Sequence, residues 1–128
     1  MHIETLLFIY DGVSGDGSAH VDAASALNVN GCALCRITHH GDEERDEWSS
    51  CSAAMGIPIR YLHLDDMPPE VAAMAATRAP CILAEAGGRL HFLVDRGTIE
   101  RCNRGVHDLR GRIAFHAARA ELELPTAV

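Results

Sequence analysis

Arg78-Ala-Pro-Cys-Ile-Leu-Ala-Glu-Ala-Gly-Gly-Arg-Leu-His-Phe-Leu-Val94 is the stretch on which the architecture of this chain turns. Pro80 opens a short apolar run, Cys81 to Ala84, where a proline is tolerated because no ladder donor is lost at a strand start. Gly87-Gly88 supplies a turn with positive φ, and Arg89 to Val94 returns as a second strand. The pattern is a β-hairpin led by a proline. Helical patterning precedes it and follows it.

Working outward, Ile57 to Leu64 reads as a strand. Met67-Pro68-Pro69 turns the chain into a helix with Val71 and Met74 inward, proline being suited to a first turn. Beyond the hairpin, Asp95-Arg-Gly97 reads as a turn. Val106, Leu109, Ile113 and Ala117 then mark a closing helix on the 3.6-residue period. Residues 121–128, with Pro125, read as a C-terminal tail after one domain over 1–120.

The first half is read the same way. Ile3 to Tyr10 is an unbroken apolar run ending at Asp11-Gly12, the pattern of a strand covered on both faces. A glycine-rich loop, Asp11 to Gly17, leads to a helix through Leu27, capped by Asp16 or Ser18. Cys32 to Thr38 fits two readings. As a strand it alternates Leu34, Arg36 and Thr38 with Cys35, Ile37 and His39. As a helix it puts Cys32, Cys35 and His39 on one stripe. Asp42 is expected to cap a helix with an acidic start at Glu43 to Glu47, and with Trp48, Cys51 and Met55 facing the core.

With Cys32 to Thr38 taken as a strand, the order is β-α-β-α-β-α-β-β-α. That order, the proline-led hairpin and the closing helix resemble the thioredoxin-like superfamily over about residues 57–116. Ile59 to Asp66 resembles that fold's central strand and its acidic end. Ala79-Pro80 resembles the loop that carries its cis-proline. The resemblance implies a three-layer α/β/α domain around a mixed five-stranded sheet. The usual Trp-Cys-x-x-Cys site of the family is missing. The resemblance further implies that the carboxyl ends of the parallel strands meet at one edge, where open α/β sheets bind ligands. That edge would gather the Asp11 loop, His39-His40, Asp65-Asp66 and Pro80-Cys81. The segment Cys32 to Thr38 is also similar to small bacterial proteins with a Cys-x-Leu-Cys-x-hydrophobic-Thr run, which brings no function with it.

The chain's 128 residues are enough for one modest core. Its 48% hydrophobic and 23% charged content is that of a globular protein. No apolar run reaches the length of a membrane span. Leu6 to Tyr10 lacks the basic start of an export signal, so a cytoplasmic location is expected. A net charge of −7 without a basic run argues against nucleic-acid and membrane partners. Five cysteines, an odd number, argue for reduced thiols over a disulfide framework.

Three chemistries remain. Cys32-Ala-Leu-Cys35, or a lone Cys81 beside Pro80, can exchange thiols with a protein disulfide or a small thiol; these four are the candidate catalytic residues. Cys32, Cys35, His39 and His40 have the ligand types of a zinc or copper site. The third reading is a binding domain of the same fold without catalysis. For each candidate a plainer role competes: the thiols as buried hydrophobes, Cys81 as a core residue at a strand start, and His39-His40 as loop surface.

Overall fold

A computed structural model describes residues 2–10, 33–40, 43–63, 67–75, 77–102 and 105–124. The elements in order are β1 (Thr5–Ile9), α1 (Ala33–Thr38), β2 (His39–His40), β3 (Glu43–Glu44), α2 (Asp46–Met55) and β4 (Ile59–Leu62). They continue with α3 (Pro69–Ala75), β5 (Cys81–Ala86), β6 (Arg89–Val94), α4 (Arg96–Glu100) and α5 (Val106–Arg119). The protein is mixed α/β. Its main sheet is four-stranded, in the order β4-β1-β5-β6, and β2-β3 form a separate ribbon.

β1 and β4 run parallel, with Leu6 beside Ile59 and Ile9 beside Leu62. β5 is antiparallel to both of its neighbours, with Ile9 opposite Cys81 and Ala86 opposite Arg89. The hairpin is therefore built where the sequence places it. Gly87 and Gly88 have φ of 62° and 75°. Two successive positive values are what a tight hairpin turn requires and what a side chain resists. The Ala79–Pro80 peptide bond is cis.

Alternation along β1 sorts the core into two layers. Leu6, Phe8 and Tyr10 face a large cluster that includes Leu34 and Ile37 of α1, Trp48 and Met55 of α2, Ile99 of α4, and Leu109 and Ile113 of α5. Leu7 and Ile9 face a smaller cluster with Leu62, Cys81 and Leu83, covered by Val71 and Ala75 of α3. Helices thus cover both faces, the fate of strands as apolar as β1 and β5.

Three expectations change. Ala33–Thr38 is helix and supplies no strand, and among the described residues the main sheet has four. Six residues are too few for periodicity to separate the two readings. Leu34 and Ile37, at helical spacing, are what the core takes up. Glu43-Glu44 pairs with His39-His40 as ribbon, and α2 starts three residues later than expected, after Arg45, which makes no side-chain cap. Asp95-Arg-Gly97 is no simple turn: Asp95 caps α4, its carboxylate accepting from the Thr98 amide at 2.8 Å. Part of the segment read as the tail packs on the domain. Leu122 is buried, and the Ile3 amide donates to the Glu123 carbonyl at 2.9 Å. The expected Asp11 loop and first helix lie outside the described residues. Among the described residues no helix is long and apolar enough to cross a membrane.

Candidate functional site

The parallel strands β1 and β4 end together, and the next residues are Tyr10 and His63. The Tyr10 amide donates to the Leu62 carbonyl at 2.8 Å, holding the two strand ends in register. β5 begins at the same edge, because Cys81 pairs with Ile9. Pro80 therefore sits at the end of the sheet where Tyr10 and His63 leave it.

α1 delivers a third element to this edge. Its last residue, Thr38, is fully buried, and its hydroxyl donates back to the Leu34 carbonyl at 3.1 Å. The same Thr38 oxygen lies 2.7 Å from the Tyr10 hydroxyl and 2.7 Å from Nδ1 of His39. The Tyr10 hydroxyl is 3.4 Å from that same nitrogen. Tyrosine, threonine and histidine thus form a compact hydrogen-bonded triangle. Arg45 closes the segment behind it: its amide donates to the Thr38 carbonyl at 2.9 Å, and its Nε to the His39 carbonyl at 3.1 Å.

Rings pack around the triangle edge to face, the arrangement that ring quadrupoles favour. His39 lies 5.7 Å from the Tyr10 ring and 5.8 Å from Tyr61. His63 lies 5.5 Å from Tyr10 on a steep interplanar angle of 76°. The Trp48 indole N–H donates to the Tyr61 hydroxyl at 3.0 Å, tying the network to α2. The edge therefore gathers two imidazoles, two phenols and a buried hydroxyl around the C-terminal ends of two parallel strands. Such a set can donate and accept hydrogen bonds.

The candidates read from sequence fare differently. His39 and Pro80 come to the same edge, as expected, although His39 arrives from a helix instead of a strand. His40 lies in β2, opposite Glu43. Cys35 lies in α1. Cys32 itself, the Asp11 loop and Asp65-Asp66 lie outside the described residues. Cys81 is a core residue: its side chain is fully buried, and burial pushes its thiol up to about 12, against the lowering influence of Arg78 and Arg96. Cys102 is buried and donates to the Thr98 carbonyl at 3.4 Å; its thiol too is pushed up by burial. Burial likewise raises Cys51. Among the described residues no group of three or more histidine, cysteine or acidic side chains is placed to hold a metal.

Sequence reasoning missed Tyr10, Thr38, Tyr61 and His63. The signals were present: a tyrosine as the last apolar residue before Asp11-Gly12, and a Tyr61-x-His63 pair leaving the next parallel strand. Only the pairing of β1 with β4 shows that these signals meet. Comparison with known protein families, curated proteins and solved structures finds no match to this chain.

Proposed function

We propose that this chain is a thioredoxin-like domain of the cytoplasm that exchanges thiols and disulfides through Cys32 and Cys35, and that the Tyr10–His39–His63 edge beside Pro80 receives the partner disulfide. The observation that carries the reading is that Cys35 lies in helix α1, whose last residue, Thr38, bonds to Tyr10 at the edge where Pro80 sits. A helix that carries the second thiol of a Cys-x-x-Cys pair is what a redox dithiol uses, and the strand reading denied it that. The sheet supports the family reading. Parallel β1 and β4 are joined to an antiparallel, proline-led hairpin, and a last helix packs back on the same face as α1.

In this reading the Cys32 thiolate attacks one sulfur of the partner disulfide and forms a mixed disulfide, and the other partner sulfur leaves as a thiol. The Cys35 thiolate then attacks the Cys32 sulfur, releasing the second partner thiol and leaving Cys32–Cys35 oxidised. Two electrons pass to the partner, and an external dithiol restores the pair. Cys81 takes no part, since a thiol pushed up to about 12 supplies almost no thiolate at neutral pH.

The test is reduction of insulin disulfides with dithiothreitol as the regenerating dithiol. The expected result is acceleration over dithiothreitol alone, abolished in Cys32→Ser and kept in Cys81→Ala. No acceleration, or equal acceleration by Cys32→Ser, overturns the reading. Metal analysis of the purified protein separates the runner-up: a zinc or copper site on Cys32, Cys35, His39 and His40 would retain stoichiometric metal and lose it in Cys35→Ser. A folded protein with neither property is a binding domain of the same fold.

A further inference from the structure

At the end of the sheet where β6 passes into α4, on the side covered by α3, lies a cleft of about 450 Å³ lined by Arg78, Phe92, Asp95, Arg96 and Gly97. Its volume is in the range of small-molecule sites. Phe92 forms the wall, half-buried and packed on the smaller core cluster. Arg78 follows α3, with its amide donating to the Ala75 carbonyl at 2.9 Å, and its guanidinium carbon lies 4.8 Å from the centre of the Phe92 ring. Arg96 reaches back from the start of α4, and its Nε and Nη2 both donate to the Ala79 carbonyl, the former at 2.9 Å. That paired bond fixes the guanidinium plane and, among the described residues, leaves the Nη1 donors without a hydrogen bond.

The charges in the cleft do not cancel. Among the described residues neither Arg78 nor Arg96 forms an ion pair. Asp95, the acid in the lining, is committed elsewhere: it accepts from Thr98, and its positive neighbours are Arg101 and His116. Two guanidiniums beside an aromatic wall form an unmatched cationic pocket in a protein whose net charge is −7. Guanidinium presents its N–H groups in a plane that matches a carboxylate, and an aromatic wall takes up a flat apolar body.

We infer that this cleft is a binding site for a small organic carboxylate, its carboxylate held by Arg78 and Arg96 and its apolar body lying on Phe92. The site uses neither cysteine of the dithiol and stands whether or not Cys32 and Cys35 are redox active. Arg96 also positions the Ala79 carbonyl, so ligation there acts on the residue next to Pro80.

The test is a titration of the whole chain with sodium benzoate, followed by amide ¹H–¹⁵N shifts, with sodium chloride and sodium phosphate at matched ionic strength as controls. The expected result is saturable movement of the Phe92, Gly97 and Arg78 amides with benzoate. Phosphate should move them less, because it lacks the body that Phe92 accepts. Arg78→Ala, an exposed change, should keep the fold by circular dichroism and weaken benzoate about tenfold, the loss expected for one charge-assisted hydrogen bond. Arg78→Lys should restore part of that affinity, since it keeps the charge and loses the planar fork. Benzoate shifts no larger than those of chloride, or an unchanged affinity in folded Arg78→Ala, overturn the inference. Phosphate binding as tightly as benzoate overturns the carboxylate assignment.

Discussion

The two faces of the sheet are built differently. One face is deep, covered by α1, α2, α4 and α5, and Trp48, Phe8, Tyr10 and Tyr61 meet there. The other, among the described residues, is shallow and covered by the seven residues of α3, with Val71, Ala75, Leu62 and Cys81 as its interior. Polar atoms are treated differently too. On the deep face buried hydroxyl and indole groups find partners, as with Thr38, Tyr61 and Trp48. Among the described residues the shallow interior is apolar, and the two arginines around Phe92 stay at its rim. A large core can surround a polar network and still satisfy it, whereas a thin layer excludes such groups because an unsatisfied one costs more than the layer contributes.

Trp48→Ala puts the largest strain on this contrast. Trp48 is fully buried and stacks at 5.2 Å on Phe8. Its loss should destabilise by about 3–5 kcal/mol, with the Tyr61 hydroxyl deprived of its indole donor. Leu62→Ala on the shallow face should cost about 2 kcal/mol, at the low end for such truncations, because a short helix can settle into the gap. Urea denaturation with unchanged slope gives both values, and equal costs would erase the difference between the layers.

Serine at the two buried cysteines sharpens the polar half of the comparison. In Cys81→Ser a hydroxyl enters an apolar interior, and a loss of about 1–3 kcal/mol is expected. In Cys102→Ser the new hydroxyl inherits the Thr98 carbonyl, so the loss should stay below about 1 kcal/mol. Similar losses at both sites, read from melting in the same buffer, would show that the shallow layer tolerates polar groups after all.

The smallest effect belongs to Asp95, at the seam where β6 passes into α4. Its pKa is lowered, chiefly by hydrogen bonds from Thr98, so its contribution is present above the ordinary value of 3.8 and is lost as pH falls through the lower folded value. Asp95→Ala should cost about 1 kcal/mol at pH 7, the usual loss for a helix cap. The gap from the wild type should close in acid. A gap that stayed constant down to pH 2 would mean that the carboxylate charge plays no part in the cap.

The hairpin, the closing helix and the strand character of β1 and β4 were legible in the order of residues, because each depends on neighbours: a glycine pair, a 3.6-residue period, an unbroken apolar run. Cys81 was equally legible as a core residue at a strand start. Asp95-Arg-Gly97 misled because an aspartate followed by a glycine two residues on serves a turn and a short helix equally well. The segment 32–38 had no local arbiter at all. Its helix is settled by Leu34 and Ile37 entering the deep core and by the Thr38 hydroxyl bonding back along the turn.

Chain order thus determined β1, β4, the last hairpin and the closing helix, since those follow from backbone preference and from apolar spacing over a few residues. The tertiary structure alone decided that the main sheet has four strands, and that Tyr10, Thr38, His39, Tyr61 and His63 share one edge. Contacts between residues almost thirty apart exist only once β1 has paired with β4 and α1 has packed above them, and no local pattern encodes that meeting.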